Sequence, residues 1–170
     1  MELVEGRATV ESVDAFVADL GAIGEEHDCA VQAFDARTVV DEAHLRRAVE
    51  LADRAFERGE TIARDRGVEI LLYAAGRRQI NQALALGVSE GEVPVVVVVH
   101  GGGPAGRDVS DERAAAEAVA ELLEPAETLG QYDERRVCSF YDVTDAERAA
   151  TDASLSELVR ERVALLTVEK

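Results

Sequence analysis

Seven residues near the middle of the chain, Val93–Val99, read VPVVVVV. No polar position interrupts the run, so a strand formed there has no side to turn toward water and must be covered on both faces. At seven residues it is far too short to cross a bilayer, which takes about 20 residues as a helix. Helices laid on both sides of a sheet would supply the cover. A length of 170 residues sets the expectation of one domain, residues 1–170, large enough to bury such a sheet. With no Trp and 4% aromatic residues, the cover must be built from Ala, Val and Leu.

The flanking sequence supplies those layers. Residues 3–10 predict a first strand. Ser12 is placed to cap a helix carrying Val13, Phe16, Leu20 and Ile23 on one face, with Gly21 and Gly24 suited to its end. Cys29–Asp35 alternates and reads as a strand. From Asp41 a long helix is predicted, with Leu45, Val49, Ala52 and Phe56 inward and charged pairs such as Glu42–Arg46 outward. Val68–Gly76, VEILLYAAG, reads as a strand entering a tight turn. RRQINQALAL after it reads as a short helix closed by Gly87. Ser110 is expected to cap a helix running to Leu123, ended by Pro125. Thr144–Glu147 and Ser154–Glu157 each fit a capping box before two closing helices, the last with Leu155, Val159, Val163 and Leu166 on one face. The expected architecture is α/β or mixed α+β: a single domain with a four-stranded central sheet flanked by helices.

Three enzyme-like patterns lie on or beside the valine run. GVSEG, Gly87–Gly91, fits the nucleophile motif of serine hydrolases. That motif needs a strand before the Ser and a helix after it, and Ser89 has the reverse. HGGG, His100–Gly103, resembles an oxyanion loop but follows the Ser it should precede. Gly101, Gly103 and Gly106 fit G-x-G-x-x-G after a strand, yet Pro104 and RDVSD push the next helix too far along to face a pyrophosphate. A nucleotide or small-ligand site on the Gly101–Gly106 loop stays open as the alternative to a plain connecting loop. No catalytic residue, metal site or cofactor is expected.

Charge narrows the setting. There are 35 acids against 18 bases, a formal net charge of −17, and Lys170 is the only Lys beside 17 Arg. The acids are spread along the whole chain, the composition expected of a protein living in concentrated salt, as in a halophilic archaeon, or simply of an acidic soluble protein. At about 1 M salt the Debye length is only about 3 Å, so an acidic surface does not exclude a nucleic-acid partner held by close contacts. Cys29 and Cys138 stand far apart and read as reduced thiols. MELVEGRATV has neither a basic n-region nor a long apolar stretch, so no signal peptide and a cytoplasmic location are expected.

The informative anomaly is AAGRRQIN, Ala74–Asn81. On the reading above, Arg77 and Arg78 fall in the first turn of a helix, where the macrodipole disfavours cations. Either an anion binds there, held by backbone N–H groups and two guanidinium forks, or the two arginines lean away to pair with nearby acids.

The surrounding stretch, EILLYAAGRRQINQALALGVSEGEVPVVVVV, resembles the kinase-binding subunit of the KEOPS complex (the TPRKB-like family). Gly76, Arg78, Gln79 and Ile80 match its S-G-T-R-Q-I turn, while Ala75 and Arg77 replace the usual Ser and Thr. The helix LRRAVELADRAFERGETIAR and the ending LVRERVALLTVEK are similar as well. The resemblance implies a non-enzymatic subunit that binds a small atypical kinase and recruits tRNA through its single-stranded 3′ CCA end for threonylcarbamoyladenosine modification, with no membrane partner. On that reading Arg77 and Arg78 take phosphate, Gln79 and Asn81 take base or sugar edges, and Ile80 takes a base face, with Gly76 making the turn. Core packing is the competing role for Ile80, and Asn81 lies outside the matching motif. An apolar helix patch is expected to dock the kinase, and the last helix is a candidate that reads equally as core.

Overall fold

The computed structural model describes residues 1–102 and 109–169. Strand β1 (Glu2–Val10) leads through α1 (Val13–His27) to β2 (Ala30–Asp35). Helices α2 (Glu42–Arg58), α3 (Arg66–Ala75) and the four-residue α4 (Ile80–Ala83) come next, then β3 (Gly91–His100). The chain closes with α5 (Val109–Glu121), a two-residue β4 (Glu124–Pro125), α6 (Glu134–Phe140), α7 (Asp145–Ala150) and α8 (Leu155–Glu169). The four strands form one sheet in the order β2-β3-β1-β4, every pairing antiparallel, so the fold is α+β.

The valine run sits as its composition requires. β3 lies between β1 and β2 and divides its side chains between two cores. Val93, Val95, Val97 and Val99 meet α1 and α5 through Phe16, Leu20, Ala115 and Val119. Val96 and Val98 face the larger core made by α2, α3 and α8. Pro94, which has no N–H to give, lies one residue beyond the last β2 pairing, Asp35 with Val95, so the ladder loses nothing on that side. At this end of β2 the buried Asp35 carboxylate accepts from the Arg37 side chain at 2.7 Å and from Arg136 of α6 at 3.1 Å, tying the strand end to a distant helix.

Most caps are where the residue types predict them. The Ser12 hydroxyl accepts from Ala15 N, and the Asp41 carboxylate from His44 N at 2.8 Å. Ser154 and Glu157 form a reciprocal box, each side chain taking the other's backbone N–H at 3.2 and 2.7 Å. The Glu42–Arg46 pair forms as well. Helix α1, however, does not stop at Gly21 or Gly24. It runs to His27 and ends on Asp28 in a left-handed conformation, φ 51°. Helix α5 opens at Val109, so Ser110 lies inside it.

One expectation is overturned outright. Val68–Gly76 is not a strand. The segment belongs to α3, and the sheet's fourth strand is instead the short β4. The physical reason is burial on every side: Gly67 and Glu69 through Ala75 are all buried, so no polar face marks a helical period. Cap signals bracket the helix. Asp65 accepts from Val68 N at 2.9 Å. Gly76 ends it with φ +61°, with Gly76 N donating to Tyr73 O and Arg77 N to Leu72 O at 3.1 Å. The buried Glu69 faces back to the preceding loop and accepts from the N–H groups of Ile62 and Ala63.

Candidate functional site

The segment Gly76–Asn81 is the connection between α3 and α4, and this changes its electrostatics. Arg77 and Arg78 do not open a helix. They follow the C-terminus of α3, where the partial negative charge of the last carbonyls favours cations. The conflict inferred from a helical first turn therefore does not exist. The helix that follows begins only at Ile80, is four residues long and has no side-chain N-cap. An anion cradle at a helix N-terminus is not what the backbone provides here.

The side chains divide into a fixed half and an exposed half. Gly76 is pressed against α8: a Cβ there would stand 2.9 Å from the carbonyl oxygen of Arg162. Arg77 folds inward. Its guanidinium donates to Phe140 O and to Asp142 Oδ2 at 3.2 Å, and lies over the Phe140 ring at 5.3 Å. Arg77 thus takes the second of the two options left open by the sequence, pairing with a nearby acid. Arg78 points out, with one hydrogen bond to Glu169 O at 3.3 Å and no ion pair among the described residues. Gln79 is exposed and accepts from Gln82 Nε2 at 3.0 Å. Ile80 is 45% exposed, so it is not a core residue, and Asn81 beside it is exposed too. The connection continues through Leu84, Gly87 and Val88 into the wall of a groove of about 720 Å³ between α1 and α3, along the unpaired side of β2.

Beneath the exposed half lies a polar pair that sequence reasoning missed. The Tyr141 hydroxyl donates to Ala74 O at 2.7 Å, and His44 Nε2 lies 2.9 Å from the same oxygen. Burial lowers the His44 pKa, against the hydrogen bond to Ala74 O that raises it, so the ring stays neutral. Burial also pushes the Tyr141 phenol well above its ordinary range, which keeps its proton in place as a donor. These contacts join residues 30 and 67 positions apart, and no local pattern announces them.

The other candidates are less well assembled. Gly103 and Gly106, and with them most of the Gly101–Gly106 loop, lie outside the described residues. At its base His100 is held by Asp53 Oδ2, 2.7 Å from Nε2, with Glu112 Oε1 3.5 Å from Nδ1. Gly101 N donates to the same Glu112 oxygen at 2.8 Å, and the Met1 ammonium lies 2.7 Å from Oε2. Burial works against the charge on Asp53, but the bond and charge of His100 and the charge of Arg66 outweigh it and hold its pKa below the usual value. Glu112 is held low in the same way, by Met1, Gly101 and His100 against its burial. Ser89 precedes β3 while His100 ends it. A strand of ten residues separates them by about 30 Å at ~3.3 Å per residue, so they form no nucleophile–base pair. Among the described residues no cluster of His, Cys, Asp or Glu is placed to hold a metal, and no helix is long and apolar enough to cross a membrane. In α8, Leu155, Val159, Val163 and Leu166 are core, leaving only Leu165 and Val168 as exposed large apolar side chains on that helix.

A search of curated proteins finds no match. A family model described as kinase binding protein CGI-121 matches residues 10–167, nearly the whole fold from the end of β1 to the last turn of α8. The chain therefore belongs to the CGI-121 family of kinase-binding proteins.

Proposed function

We propose that this kinase-binding protein is a non-catalytic subunit of the KEOPS complex. It binds the small atypical kinase and recruits tRNA through the 3′ CCA end for threonylcarbamoyladenosine modification. One observation carries the tRNA half of this reading. Residues 78–82, with Arg78 as their one charge and no acid among them, form a continuous exposed stretch in a chain where acids outnumber bases about two to one. Arg78 there is not neutralised by any carboxylate among the described residues. A single-stranded end needs a cation for phosphate, amides for base or sugar edges and an apolar face for a base. Arg78, Gln79, Asn81 and Ile80 present that set. Arg77, engaged with Phe140 and Asp142, contributes by holding the turn and reaches phosphate only by leaving those partners.

The test is tRNA binding by the purified protein in high salt, comparing intact tRNA, tRNA trimmed of its CCA, and the Arg78→Glu variant. Binding confined to the intact end and lost in the variant is the expected result. Equal binding of the trimmed tRNA refutes recruitment through the CCA end. Capture of the kinase by both wild type and Arg78→Glu is expected throughout.

A further inference from the structure

The carbonyl of Ala74 belongs to the last turn of α3 and has lost its helical partner. The Gly76 cap satisfies Tyr73 O and Leu72 O and leaves Ala74 O to others. Two side chains take it over. Tyr141 OH and His44 Nε2 converge on this one oxygen and lie 3.1 Å from each other, their rings edge to face at 5.8 Å. His44 is 0% and Tyr141 2% exposed. With both protons directed at Ala74 O, His44 Nδ1 is a bare lone pair, buried and without a hydrogen-bond partner. A leucine and a phenylalanine would fill this space without the bare nitrogen, but they would leave Ala74 O buried and unpaired. The polar pair therefore calls for a reason other than packing.

The position of the carbonyl provides one. Ala74 is two residues before Gly76, and the neighbours of Tyr141 on both sides, Phe140 and Asp142, are the groups that receive Arg77. Arg162 of α8 donates to Tyr141 O at 3.3 Å, and its own carbonyl is the wall that Gly76 leans on. His44 of α2 and Tyr141, just past α6, thus bond one carbonyl of α3 at the root of the turn, while Arg162 of α8 holds the Tyr141 backbone.

We propose that His44 and Tyr141 are positioning residues for the Gly76–Asn81 turn: by holding Ala74 O they fix the end of α3, and with it the direction in which Arg78, Gln79 and Ile80 project. The consequence for RNA rests on the function proposed above; the positioning itself does not.

Two measurements on Tyr141→Phe separate these. The variant keeps the ring and removes only the hydroxyl, and His44→Leu serves as a second, independent change. The first measurement is hydrogen exchange at the amides of Gly76, Arg77, Gln82 and Ala83, which the turn's own backbone bonds protect, with the α5 amides as reference. Exchange in the turn is expected to rise about tenfold, the loss of one good hydrogen bond, with α5 unchanged. An unchanged turn, or a rise shared equally by α5, overturns the proposal. The second is binding of intact tRNA. Weakening by about fivefold or more is expected from a loosened turn, on the scale of a single hydrogen bond. A loosened turn with wild-type tRNA affinity overturns the link to binding. If wild-type protein itself ignores tRNA while the variant's turn loosens, the RNA reading fails and the positioning role stands.

Discussion

Gly76 and Arg162 meet at a distance that admits no side chain on the glycine: a methyl group there would sit 2.9 Å from the Arg162 carbonyl oxygen, on a backbone already at φ +61°. Gly21, midway along α1, is the opposite case, with nothing within 4 Å of an added Cβ. Gly76→Ala is expected to destabilise by about 1–3 kcal/mol, through both the left-handed backbone and the contact with α8. Gly21→Ala is expected to stabilise by roughly 0.5–1 kcal/mol, the ordinary cost of glycine inside a helix. Urea unfolding of both variants checks the pair, and equal effects would contradict the structure.

The two adjacent arginines are expected to behave differently. Arg77→Ala removes a bond to Phe140 O and the contact with its ring, and should cost about 1 kcal/mol of stability. Arg78→Ala, at an exposed position, should stay within about 0.5 kcal/mol while weakening tRNA binding. Melting temperature and tRNA affinity measured on both variants would show stability following Arg77 and binding following Arg78.

Acid should loosen the base of the glycine-rich segment. Asp53 and Glu112 both have folded pKa values below their ordinary 3.8 and 4.5. A carboxylate depressed on folding adds stability that is fully present above its ordinary value and disappears as pH falls through the folded one. The contribution of these two groups should therefore be constant at neutral pH and be lost below about pH 4. Thermal unfolding between pH 2 and pH 7 should show a steeper acid limb for wild type than for Asp53→Asn, which should also be less stable at pH 7.

Salt should stabilise the protein by screening a net charge of −17. Most of the gain is expected below about 1 M, where the Debye length has already shrunk to about 3 Å. For a chain of this size each kcal/mol appears as about 2–4 °C in the melting temperature. A rise that continues unabated to saturation would point to preferential exclusion of the salt rather than to screening.

The elements that declare themselves in the sequence are those with one wet face or a defined cap. The valine run, the amphipathic α2 and the Ser154–Glu157 box are legible because their residue types admit few alternatives. α3 is misread because burial on all sides removes its period, although Asp65 and Gly76 mark its ends. That error carried into the site. A strand at α3 would set the two arginines against a helix dipole, whereas at the end of a helix they complement one. The resemblance singles out the stretch that connects α3 to α4, but only its observed exposure frees Ile80 from its core alternative. His44 and Tyr141 were out of reach, since a shared contact with Ala74 leaves no trace in spacing.

The bonds that hold the turn come from far down the chain: Arg77 reaches 63 residues forward to Phe140 and Arg78 reaches 91 forward to Glu169. During synthesis, α3 and the glycine that ends it emerge long before the segment they lean on. The turn is then held only once residues 140–169 have folded back onto it, and a chain clipped before them should lack that restraint even with its sheet in place. The set of the Gly76–Asn81 turn is therefore a property of the folded domain rather than of its own stretch of chain.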